Sequence, residues 1–152
     1  MDLFKEKIEQ IIREGNMREA RDLILELDFL KLDELLAKIG FDNRDMIQLY
    51  FLVLDMLGER DEVEIHRLAL SLLSMPLCII PGAYFGAIYH LKKIIDLEPD
   101  SVNDKEYLLS FYTNPNRLIS DVEAEGLVKE VLRAKPNSTI AIEILKILNK
   151  IH

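Results

Sequence analysis

An all-α fold of stacked antiparallel helical hairpins, about nine helices with no sheet, is what this 152-residue sequence predicts. Three observations carry the prediction. Apolar residues recur at the 3.6-residue period of a helix along most of the chain. Gly, Pro and Asn interrupt that period at intervals of about one helix length. No run of β-branched residues alternates with polar ones between turn signals, so no strand is expected.

The elements follow in order. Leu3, Phe4, Ile8, Ile11 and Ile12 form a first stripe, and Gly15 ends it, since Gly accepts the left-handed conformation just past a helix. Asn16 with Glu19 reads as a capping box opening a second helix, whose apolar face is Ala20, Leu23, Ile24 and Leu27. A third helix carries Leu32, Leu35, Leu36 and Ile39 and is expected to stop at Gly40. A fourth runs from about Arg44 to Leu57, stopped by Gly58. A fifth starts near Asp61 and ends before Pro76. A sixth follows Pro81, a residue suited to a first helical turn, and continues to about Leu97. Asn103 and Glu106 read as a second capping box, opening Tyr107 to Tyr112, and Asn114-Pro115-Asn116 breaks that helix. Ser120 and Glu123 form a third box, ahead of Ala124, Leu127, Val128, Val131 and Leu132. Pro136-Asn137 breaks the chain again, and Ser138 caps a last helix with Ile140, Ile144, Leu145 and Leu148.

Composition narrows the function. Apolar residues make up 49% and charged ones 30%, which fits a folded domain and neither a disordered tail nor a membrane protein. The most apolar stretch, Leu68 to Tyr89, is long enough to span a bilayer. Pro76 and Pro81 interrupt it, Ser71 and Ser74 dot it, and Arg67 and His90 flank it, so it reads as two buried helices joined by a proline corner. The N-terminal residues show no basic region followed by an apolar run, so no signal peptide is expected and the location reads as cytoplasmic. A single cysteine, Cys78, excludes an internal disulfide and fits a reducing compartment. The 27 acids against 19 bases give a net charge of −8, which opposes nucleic-acid binding and suits a basic protein partner.

The sequence also repeats itself. Ile94-Ile95-Asp96-Leu97-Glu98-Pro99-Asp100-Ser101 lines up with Val131-Leu132-Arg133-Ala134-Lys135-Pro136-Asn137-Ser138, 37 residues on. Ala87, Leu91 and Ile94 precede Pro99 by the same intervals as Ala124, Val128 and Val131 precede Pro136. A small residue lets two helices approach, aliphatic side chains fill the seam, and proline stops the helix where the chain reverses. This pattern, with Asn16-Met17-Arg18-Glu19-Ala20 near the N-terminus, resembles the second helix of a tetratricopeptide repeat. The resemblance implies one helical-repeat domain over 1–152, a degenerate solenoid with repeats clearest at 82–101 and 119–138. Such stacks bind proteins on a broad concave surface.

A second resemblance rests on Ser74-Met75-Pro76-Leu77-Cys78, Gly82-Ala83-Tyr84, His90, Lys92-Lys93, Leu97-Glu98-Pro99, Glu106, Leu108-Leu109, Phe111, Glu123-Ala124 and Pro136-Asn137. These residues look like those of small α-helical bacterial immunity proteins of polymorphic-toxin loci. That resemblance implies an intracellular protein that binds and occludes a cognate toxin domain, expected to be basic. The alternative is a tetratricopeptide-like scaffold or adaptor that holds a peptide or folded partner without inhibiting it.

Chemistry-bearing residues are sparse. No acid–base pair or nucleophile constellation assembles in the sequence, so no enzyme activity and no cofactor are expected. Glu62 and His66 sit one turn apart without a second His nearby, too little for a metal site. His66 and His90 either hydrogen-bond within helix packing or line a groove, and His152 is terminal. Cys78, among aliphatic neighbours, reads as a small core residue. Gly82 and Gly86, four apart, read as one face permitting a close helix crossing. Arg44, Gln48 and Asp55 share one face of the fourth helix, as a solvent stripe or a groove edge. Acids are densest from Glu59 to Glu64, at a helix start where they also suit the helix dipole. The candidate protein-binding residues are therefore Glu59, Asp61, Glu62 and Glu64, the histidines His66 and His90, and the tyrosines Tyr84 and Tyr107 as interface anchors.

Overall fold

A computed structural model describes residues 2–116 and 118–151, with the backbone alone for Asp2 and Ile151. Among the described residues the fold is all-α. Its nine helices are α1 (Asp2–Arg13), α2 (Met17–Ile24), α3 (Phe29–Asp42), α4 (Gln48–Glu59), α5 (Val63–Ser74), α6 (Ala83–Leu97), α7 (Val102–Ser110), α8 (Asp121–Ala134) and α9 (Thr139–Ile151). The chain gathers into two compact units, Met1–His90 and Leu91–His152, so the boundary falls inside α6.

In the first unit α1 packs on α2, α3 and α4, α2 on α4, and α5 on α3 and α4. The core there is aliphatic. Ile8 and Ile12 from α1, Ile24 from α2, Leu36 and Ile39 from α3 and Leu49 and Leu52 from α4 are all fully buried. Each such side chain contributes about 1.5–3 kcal/mol relative to leaving it in water. In the second unit α7, α8 and α9 pack on one another around Leu109, Val128, Val131, Ala141 and Ile144. The stripes read from the sequence thus hold the buried faces, except that Leu3 of the first stripe stands in solvent.

The helix ends show where local signals prevail and where they yield. Gly15 has φ +81°. The Asn16 N–H donates to the Ile11 carbonyl (3.1 Å) and the Gly15 N–H to that of Ile12 (3.0 Å), a Schellman closure. That closure uses the Asn16 N–H, so Glu19 has no donor to reach back to, and the Asn16 side chain caps nothing. The expected capping box at α2 does not form. At α9 the Ser138 hydroxyl accepts from the Ala141 N–H, as expected, and at α8 the Ser120 hydroxyl accepts from the Glu123 N–H, the serine half of the expected box, while the Glu123 carboxylate pairs with Lys92 at 2.7 Å.

Other boundaries move. Gly40 does not stop α3, which continues to Asp42. A Cβ at Gly40 would lie 2.9 Å from the Pro76 ring, so this glycine admits the proline corner that follows α5. Gly58 lies inside α4, and Arg44 precedes that helix in a turn. Pro81 stands before Gly82, which takes φ +86°, and α6 begins only at Ala83. Gly82 therefore turns the chain, while Gly86 alone makes the close crossing: its Cβ would stand 2.8 Å from Leu73 of α5. The Asn103–Glu106 box is also absent. Ser101 precedes α7 and donates to Asp104 at 2.5 Å, and Glu106 turns instead to Lys135 (2.8 Å) and to Ser138.

Candidate functional site

A buried polar chain of the first unit begins in the turn before α5. Asp61 precedes α5, His66 lies on its second turn, Tyr50 stands on α4 and His90 on α6. Their side chains form an unbroken chain. Asp61 Oδ1 is 2.7 Å from His66 Nε2, His66 Nδ1 is 2.8 Å from His90 Nδ1, and His90 Nε2 is 2.8 Å from the Tyr50 hydroxyl. His66 is 2% exposed and His90 fully buried, whereas the Asp61 carboxylate is open to solvent. Tyr50 and Tyr89 each set a ring edge-on to His90, at 5.6 and 5.1 Å between centroids.

Apolar packing positions the chain. His66 follows Ile65 in the buried face of α5, and Gly86, one turn before His90, lets α6 approach Leu73 and the Tyr50 hydroxyl. Burial pushes the His90 imidazole down from its ordinary 6.5 to about 4, and the charge of His66 pushes the same way. Burial also raises the Tyr50 hydroxyl above its ordinary value, with the nearby Tyr89 adding to it.

Two of the sequence-derived contact residues are corrected here. His66 and His90 are interior groups, unable to touch a partner, because their ring nitrogens are spent on each other and on Asp61 and Tyr50. The structure does bring these two together, 24 residues apart, and joins them to Asp61 of the acidic stretch. Within that stretch Glu59 accepts from Arg21 of α2 at 2.9 Å, and Glu62 lies 3.5 Å from Arg60. Glu64 is exposed at the start of α5. Tyr84 is half-buried on α6, and Tyr107, in the second unit, is exposed and stacks on Phe111 at 5.4 Å. Cys78 is half-buried. His152 lies outside the described residues.

Arg21 is the residue the sequence hid. It donates to both Asp55 and Glu59 at 2.9 Å, pinning α2 to α4 and holding Asp55 of the predicted Arg44–Gln48–Asp55 face. Only the approach of α2 to α4 reveals it. Large apolar side chains also stand in solvent on α4 and α6, among them Phe51, Leu54, Phe85 and Tyr89. Among the described residues no group of three or more His, Cys, Asp and Glu is placed to hold a metal ion, and no helix is long and apolar enough to cross a membrane. In comparisons with known proteins, no family model, no curated protein and no solved structure matches the chain.

Proposed function

We propose that the chain is a protein-binding helical module that takes a basic partner on its first unit. The observation that carries this reading is a set of exposed aromatics on α4 and α6, in the unit that holds most of the net negative charge. Phe51, Phe85 and Tyr89 are 52%, 61% and 54% exposed. Tyr50, next to Phe51 in α4, is joined to Asp61 through only two imidazoles. Aromatic side chains bury much area at little entropic cost, and surrounding charge steers the encounter. Charge is unevenly divided in the same sense: residues 1–90 hold 17 acids and 10 bases, residues 91–152 hold 10 and 9.

Within that class, the resemblance to immunity proteins supports a partner that is a toxin domain, held inactive by occlusion of its working surface. The test is co-purification with the product of the adjacent gene, followed by an assay of that product's toxicity with and without this chain. Binding with toxicity abolished supports the immunity reading. Binding with toxicity intact gives the adaptor reading, and no binding removes that product as the partner.

A further inference from the structure

We propose that Asp61, His66, His90 and Tyr50 form a proton relay in which one added proton charges His66 and reverses, in concert, the hydrogen bonds from His66 to Tyr50. This inference concerns the chain alone and does not depend on the partner.

Donor and acceptor bookkeeping fixes where the protons of the uncharged imidazoles sit. A carboxylate only accepts, so His66 Nε2 carries a proton and donates to Asp61. When His66 is neutral its Nδ1 is then bare and accepts, which places a proton on His90 Nδ1. His90 Nε2 is then bare in turn, and the Tyr50 hydroxyl donates to it. Three protons fill three bonds and every ring nitrogen is satisfied.

An added proton satisfies every bond with the imidazolium at His90 or, after one further transfer, at His66, where the Asp61 carboxylate draws it. The Tyr50 proton passes to His90 Nε2 while the Tyr50 oxygen takes a proton from solvent. The His90 Nδ1 proton passes to His66 Nδ1. The result is an imidazolium at His66 against the Asp61 carboxylate, a neutral His90 with its proton now on Nε2, and a Tyr50 hydroxyl that accepts from His90 and turns its own proton outward. No bond but O–H and N–H changes, and nothing is oxidised.

The surroundings place the charge at His66. The titratable groups brought to the chain are Tyr50 from α4, Asp61 from the turn before α5, His66 from α5, and Tyr89 and His90 from α6. Of the four hydrogen-bonded groups Asp61 bears the formal charge, and it faces His66. The other helix packed on α5 is α3, whose buried residues are Leu32, Leu35, Leu36, Ile39 and Gly40, and α4 buries Leu49, Leu52, Val53 and Met56. His90 has no carboxylate partner, and its depressed affinity for protons fits a group that passes a proton on without keeping it. The relay offsets the charge of Asp61, whose carboxylate is open to solvent, and re-aims the Tyr50 hydroxyl.

The experiment is long-range nitrogen–proton NMR on the full chain with labelled histidine, from pH 8 to pH 5. At pH 8 His66 shows the Nε2–H tautomer and His90 the Nδ1–H tautomer. As pH falls His66 becomes doubly protonated, and His90 moves to the Nε2–H tautomer at the same midpoint while staying neutral. A His90 that keeps Nδ1–H, that charges before His66, or a chain that unfolds before His66 charges overturns the relay. Asp61→Asn is the second variant, since its amide oxygen still accepts from Nε2–H but cannot pair an imidazolium. It is expected to move both transitions together in the same direction; movement of His66 alone overturns the concerted step.

Discussion

His90 is placed where water does not reach, and every atom of its ring that can bond does so. Its proton affinity makes stability depend on pH with a definite sign. The imidazole in an unfolded chain takes a proton near pH 6.5, the folded one only near 4. Between those values the unfolded chain holds more protons, so acid favours unfolding. The contribution is complete above about pH 6.5 and is lost as the pH falls toward about 4. Urea midpoints measured across that window are expected to decline, and His90→Gln, which keeps a hydrogen-bonding amide without a titrating ring, should flatten the slope. A second residue-scale outcome concerns Tyr50. Tyr50→Phe leaves a buried His90 nitrogen without its partner, so it is expected to cost about 1–3 kcal/mol in equilibrium unfolding. The histidines were visible in the sequence as residues that either bond in the interior or line a groove. Their choice between the two was not, because nothing local places residue 66 beside residue 90.

At the scale of the element, glycines in similar sequence settings have opposite meanings. Gly40 and Gly126 both lie inside helices. A Cβ at Gly40 meets the rigid Pro76 ring, whereas at Gly126 it meets nothing within 4 Å. Gly40→Ala is therefore expected to destabilise by about 1–3 kcal/mol through overpacking. Gly126→Ala is expected to stabilise by about 0.5–1 kcal/mol through the entropy a helical glycine loses on folding. Thermal unfolding of the two variants side by side checks the signs. Gly86→Leu belongs with Gly40→Ala, since its Cβ already presses on Leu73. The same lesson holds for capping. Serine caps at α8 and α9 were legible because their acceptor and donor lie within four residues. The boxes at Asn16 and Asn103 failed because a donor was taken by the preceding turn in one case, and Glu106 by Lys135 and Ser138 in the other. In that second case the Lys135 ammonium, with the Ser138 hydroxyl, holds the Glu106 carboxyl below the usual carboxylate range.

For the whole molecule, charge is the property that acts at a distance. The acidic stretch is less uniform than its sequence suggests, since Glu59 is engaged with Arg21 and Asp61 with His66. Reversing those two would disturb the fold as well as the field. Glu64 and Glu143 are exposed acids in the first and second units. With the proposed basic partner, Glu64→Lys is expected to slow association several-fold at low salt and little at 0.5 M, where the screening length is down to a few ångströms (about 3 Å at 1 M). Glu143→Lys should leave the rate nearly unchanged. Stopped-flow association at two salt concentrations separates them, and equal effects would place the contact elsewhere.

Periodicity alone was enough for the all-α class, for about nine helices and for most of the buried stripe of the first three and last two, because a 3.6-residue pattern is satisfied within a few turns of chain. Three-dimensional packing settled which helices touch, that Gly40 is a point of close approach, that Arg21 ties α2 to α4, and that two histidines join Asp61 to Tyr50. The physical reason is range. A cap or a stripe is an interaction between neighbours in sequence, while a hydrogen bond between residues 66 and 90 exists only after two helices have been brought together by side chains that themselves carry no polar signal.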